Sequence, residues 1–85
     1  MKEDITKLSI EIFGEKYLVR GEGTPEHIQS LAHEVDKKMK LLSQRLPNLP
    51  MNHLAILTAL NLADELVKLR KEQKELLKLL GEEAQ

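Results

Sequence analysis

The run from Met51 to Leu80, MNHLAILTALNLADELVKLRKEQKELLKLL, constrains this chain more than any other stretch. It contains no proline or glycine, and nearly every residue is a good or tolerable helix former, which predicts one continuous helix. At 1.5 Å per residue such a helix reaches about 45 Å, more than the width of a small domain, so it must project from whatever the other residues build. From Leu54 to Leu69 apolar residues occupy almost every face, a pattern that calls for burial nearly all round. One stripe then continues. Ala55, Ala59, Leu62, Leu66, Leu69, Gln73, Leu76 and Leu80 alternate steps of four and three, a heptad seam with Gln73 as its polar member. These eight residues are the expected oligomer interface. In that register Glu65 takes position g and Arg70 the following e, the pair that meets across a parallel two-stranded coil. At the far end Leu76, Leu77, Leu79 and Leu80 make the stripe too wide for two strands alone, which points to two coils meeting. A homodimer and a homotetramer both fit.

Eighty-five residues make a single domain. Its expected parts are a globular head over 5–60, a coiled-coil extension over 61–80 and a frayed tail over 81–85. Phe13 and Tyr17 are the only aromatics, so leucine must carry the core. A small elongated chain buries a poor share of its surface, and self-association is the natural remedy. Without cysteine there is neither a disulfide framework nor a thiolate metal site, which suits a reducing cytosol. The opening MKEDITK lacks the apolar core of a signal peptide, and the apolar run in the long helix is broken by Thr58, Asn61 and Asp64-Glu65, so no membrane span is expected. Thirteen basic and fourteen acidic side chains give a net charge of −1, without the basic surplus typical of a nucleic-acid binder. Charge argues for a protein partner.

Residues 5–20 read as a β-hairpin. Leu8, Ile10 and Ile12 alternate with Lys7, Ser9 and Glu11, the period of a strand with one buried face. Gly14-Glu15 is the expected two-residue turn, since glycine accepts φ > 0 without a Cβ clash. That turn pairs Ile12 with Tyr17 and Ile10 with Val19 on one face, and places Glu11 opposite Leu18 and Ser9 opposite Arg20 on the other. A turn set one residue later is expected to scramble both faces. A lone two-stranded sheet is marginal in water and needs a helix, or strands of a second subunit, over its apolar face. After the loop Gly21-Glu22-Gly23, Thr24 can cap a helix, Pro25 fits its first position and Glu26 suits its positive end. Ile28, Ala32, Val35, Met39, Leu42 and Leu46 form the apolar stripe of that helix, with Glu34, Lys37, Lys38, Gln44 and Arg45 opposite. Pro47 ends it, and Pro47-Asn48-Leu49-Pro50 is short enough to fold the two helices into a helical hairpin. The fold class is therefore α+β: an N-terminal hairpin and two helices (ββαα), the second long and forming a coiled coil.

Enzyme signatures are missing. There is no Gly-rich phosphate loop, no nucleophile in a recognisable setting, and His33-Glu34 lacks the second histidine of HExxH. His27 and His33 stand about 120° apart on the first helix, poorly placed as joint metal ligands. Asn61, Asp64 and Glu65 share one face of the long helix and could in principle work on a proton or hold a cation. The better reading is an amide that fixes packing register, with Asp64 reaching Lys68 one turn on. No catalytic, cofactor-binding or metal-binding residue is assigned, and no cofactor, nucleic acid, membrane or small-molecule substrate is expected.

Ala59-Leu60-Asn61-Leu62-Ala63-Asp64-Glu65, preceded by His53-Leu54-Ala55-Ile56-Leu57-Thr58, resembles the ZapA family of bacterial cell-division proteins. Ile10-Glu11-Ile12-Phe13-Gly14 with Tyr17 is similar to that family's hairpin, and Ala32-His33-Glu34-Val35-Asp36-Lys37-Lys38-Met39 to its first helix. The likeness covers residues 5 to about 72. It implies a ββαα chain that dimerises through a globular head and extends a coiled coil through which dimers pair. It also implies a non-enzymatic, cytoplasmic partner of FtsZ, the tubulin-like GTPase of the division ring, that bundles or crosslinks its filaments at midcell. Members of the family often carry a basic residue directly after the turn glycine; here Glu15 follows Gly14 and the positive charge is deferred to Lys16. The candidate FtsZ contacts are Lys16 and Arg20 on the hairpin, with Lys37, Lys38 and Arg45 on the outer side of the first helix. The alternative functional class is a generic coiled-coil adaptor for another protein; a small DNA-binding dimer ranks below it.

Overall fold

The computed structural model describes residues 5–84, so Met1–Asp4 and Gln85 of the expected single domain lie outside the described residues. Four elements follow in order: β1 (Ile5–Ile12), β2 (Glu15–Glu22), α1 (Pro25–Arg45) and α2 (Met51–Ala84). This is the ββαα order that the sequence predicts, with β1 and β2 in an antiparallel pair.

The turn differs from the expected one. Phe13 and Gly14 are its central residues, with φ of 53° and 81°, the positive values that a twist-matched type I′ turn requires. Ile12 therefore faces Glu15, Ile10 faces Tyr17 and Leu8 faces Val19, while Glu11 faces Lys16, Ser9 faces Leu18 and Lys7 faces Arg20. Moving a two-residue turn by one position shifts every pair by two, so both faces survive and only the partners change. The expected scrambling does not arise, and Glu11 opposes Lys16 rather than Leu18.

Thr24 caps α1 as its position suggests: its Oγ1 accepts from the His27 backbone N–H at 3.1 Å, with proline in the first turn. Ile28 and Ala32 on this helix close with Ile10 into a small buried core, against which Leu8, Ile12 and Val19 pack. Gly21 permits the approach; a Cβ there would stand 3.3 Å from Ile28 Cδ1. The hairpin gains the helical cover that two strands need, with α1 packed mainly on β1.

Leu46 closes α1, its N–H donating to Leu42 O at 2.8 Å, and the connector turns the chain back so that α2 packs on α1. Among the residues of α2 with described side chains, Leu54 and Thr58 are buried. The Thr58 hydroxyl donates to Leu54 O at 2.8 Å, which satisfies a polar group that burial would otherwise penalise. Beyond this contact α2 projects. It continues through Gly81 to Ala84, past the point where the sequence pattern suggested fraying. The radius of gyration is 17.2 Å, against about 12 Å for a compact chain of this length. The rod does not fold back over the hairpin.

Candidate interaction surfaces

Three surfaces emerge from this arrangement. The first is the exposed side of α2. Ala55 and Ala59 are exposed and Leu62 is half-buried. Leu66, Leu69, Leu76 and Leu80 remain between 47% and 62% exposed, and Ile56, Leu60 and Val67 are similarly open. Side chains that a nearly all-apolar helix should bury are thus left to water by their own chain. The accessible surface totals 7040 Å², whereas a compact monomer of this mass exposes about 5,100 Å². The excess is of the order that a stable protein–protein interface removes.

The second surface is the uncovered half of the sheet's apolar face. Tyr17 is 46% exposed, and with Ile10, Val19, Met39, Met51 and Ala55 it borders an open groove of about 460 Å³. α1 shields the β1 side of the sheet, and the β2 side meets this groove. The sequence indicated that the sheet needs cover; it gave no sign that one helix would cover only half.

The third comprises the basic candidates, which do not form one patch. Lys16 and Arg20 lie on the outer face of β2, with Lys7 across from Arg20. Lys37 is exposed beside Glu34, at 3.6 Å. Lys38 is not on the solvent side of α1: its side chain is 18% exposed and pairs with Glu65 of α2. Helical geometry explains this, since one residue's step of about 100° separates Lys37, facing water, from Lys38, facing the second helix. Glu65, expected to meet Arg70 of another chain, is thereby engaged within its own. Arg45 sits exposed in the last turn of α1, where a cation complements the helix dipole.

The polar trio of α2 takes structural positions. Asn61 is half-buried, and Asp64 accepts from Lys68 at 3.0 Å, as the spacing suggested. That carboxylate holds the Lys68 ammonium above its ordinary pKa. His27 belongs to the capping turn of α1. Among the described residues no group of three or more His, Asp or Glu is placed to hold a metal, and no helix is long and apolar enough to cross a membrane.

Sequence reasoning missed Asp36. Its Oδ1 accepts the Phe13 backbone N–H at 2.8 Å and its Oδ2 meets Lys40 Nζ at 3.0 Å. The Phe13 N–H, then Lys40, hold the carboxyl below its usual range against a weaker opposing effect of burial. The i,i+4 spacing to Lys40 was legible; the partner 23 residues upstream was not.

Comparison with known proteins agrees with this architecture. Residues 8–84 match the family model described as cell division protein ZapA. A cell division protein ZapA from Geobacillus sp. (strain WCH70) is 36% identical over 78 residues, covering 92% of this chain and 90% of that protein. The Geobacillus thermodenitrificans (strain NG80-2) protein of the same name is 43% identical over 70 residues, covering 82% and 77%. A solved structure, a ZapA mutant dimer from Geobacillus stearothermophilus, superposes with a TM-score of 0.73 at 37% identity, covering 93% of this chain and 92% of that one.

Proposed function

This chain belongs to the ZapA family of cell division proteins, and we propose that it is a non-enzymatic crosslinker that binds FtsZ and bundles its filaments at the midcell division ring in the cytoplasm. The observation that carries the reading is the projecting α2, whose stripe through Leu66, Leu69, Leu76 and Leu80 stays open to solvent in the single chain. A second copy supplies the missing cover. The groove beside Tyr17 and Met51 asks for the same remedy, and the relative from Geobacillus stearothermophilus is itself a dimer. A homodimer, or a tetramer made by pairing coils, presents the same partner-binding head two or four times, and multivalency converts weak contacts into a crosslink. Lys16, Arg20, Lys37, Lys38 and Arg45 are the proposed contacts; Lys38 acts on FtsZ only by leaving Glu65.

The test is co-sedimentation with GTP-assembled FtsZ. Bundled polymer that carries this protein into the pellet, with a rise in light scattering, supports the proposal; unchanged sedimentation and scattering would remove it. A pull-down from bacterial lysate in which another protein is the main prey would favour the generic coiled-coil adaptor.

A further inference from the structure

The hairpin follows an inward-apolar, outward-polar alternation that Ile5, at the start of β1, and Leu18, in the middle of β2, break. Leu18 lies on the outer face opposite Ser9 and is 77% exposed, more than any other large apolar side chain among the described residues. Ser9 is too small to cover it. Along β2 it is flanked by Lys16 and Arg20, and diagonally across the sheet by Lys7 and Glu11. None of these three cations makes an ion pair with a described residue. A single exposed leucine needs no explanation. A leucine ringed by three cations and one carboxylate is a different object: an apolar centre with a charged, mostly basic rim, the layout of a small interface.

We infer that this outer face of the hairpin is a docking surface whose occupant is an acidic protein segment carrying an apolar side chain between carboxylates. Lys16 and Arg20 stand about 14 Å apart along the strand, which suits carboxylates two residues to either side of an apolar residue in an extended segment. The apolar residue covers Leu18, and the carboxylates meet cations that make no ion pair with a described residue of this chain. A second copy of the same face is a poor occupant, because a two-fold contact sets the three cations of one copy against those of the other. The inference rests on the FtsZ-binding reading and specifies the face and the chemistry of that contact.

The experiment compares the full chain with Leu18→Ser and with Lys16→Gln/Arg20→Gln, by co-sedimentation with GTP-assembled FtsZ across a salt series. Leu18→Ser should weaken binding by about tenfold or more while keeping the circular-dichroism melt and the scattering mass of the parent. The double glutamine variant should bind more weakly and lose much of the salt dependence. Parent bundling with Leu18→Ser bundling equally well overturns this inference and leaves the FtsZ reading standing. A parent that does not bind the polymer overturns both. A changed mass for Leu18→Ser assigns the face to self-association, and salt-sensitive retention on duplex DNA that Leu18→Ser abolishes assigns it to nucleic acid; either result overturns the acidic-segment proposal.

Discussion

The Phe13 backbone N–H donates to Asp36 Oδ1 at 2.8 Å, tying the hairpin turn to the middle of α1. A non-glycine residue at φ 53° is strained, and the turn places its amide where no strand partner reaches it. The helix supplies that partner. Asp36→Ala should lower the melting temperature by several degrees and broaden amide exchange at the turn, whereas Asp36→Asn, which keeps an acceptor, should sit between the two. Equal melts for all three proteins would show that the contact contributes nothing to stability.

The same carboxylate predicts an acid response. Its folded pKa is depressed, so its contribution is present above the unfolded carboxylate value of about 3.9 and is lost as pH falls through the lower folded value. Urea midpoints measured from pH 6 down to pH 2 should fall less steeply for Asp36→Ala than for the parent. Parallel profiles would contradict the assignment.

Gly14 isolates the cost of the turn. At φ 81° with nothing within 4 Å of an added Cβ, alanine there meets backbone strain without steric clash. Gly14→Ala should cost about 1–2 kcal/mol, read as a lower urea midpoint at unchanged slope. A neutral result would mean that the turn takes another form in solution.

The seam of α2 can be tested apart from the fold. Leu66 and Leu69 are 47% and 62% exposed in the single chain, so Leu66→Asp with Leu69→Asp should leave the head intact. The two charges should nonetheless split the oligomer, because burying them in an apolar interface costs several kcal/mol or about that per assembly. Multi-angle light scattering reads the mass directly, and an unchanged oligomer would take the coiled coil out of the mechanism.

Leu54 is 3% exposed, buried near the start of the same helix where α2 packs on α1. Leu54→Ala should cost about 2–5 kcal/mol and loosen α2 from α1, lowering the thermal midpoint even at protein concentrations that saturate assembly. A small loss confined to low concentration would place Leu54 in the oligomer seam instead.

Local physics settled much of this protein from its sequence. The uninterrupted helix formers of Met51–Leu80, the Thr24-Pro25 start, the stop at Pro47 and the alternation around Ile10 each depend on neighbours within a few residues, and each appears where the pattern places it. Interactions that span the chain were decided only by the tertiary structure. Turns at Phe13-Gly14 and at Gly14-Glu15 give the sheet the same two faces, so hydrophobic patterning cannot choose between them; Asp36, on α1, occupies the position that favours the first. Lys37 and Lys38 look equivalent in a string of residues, yet the packing of α2 directs one to water and the other to Glu65. Periodicity follows from backbone geometry and is written in the sequence, whereas the choice among long-range partners depends on how separately formed elements meet.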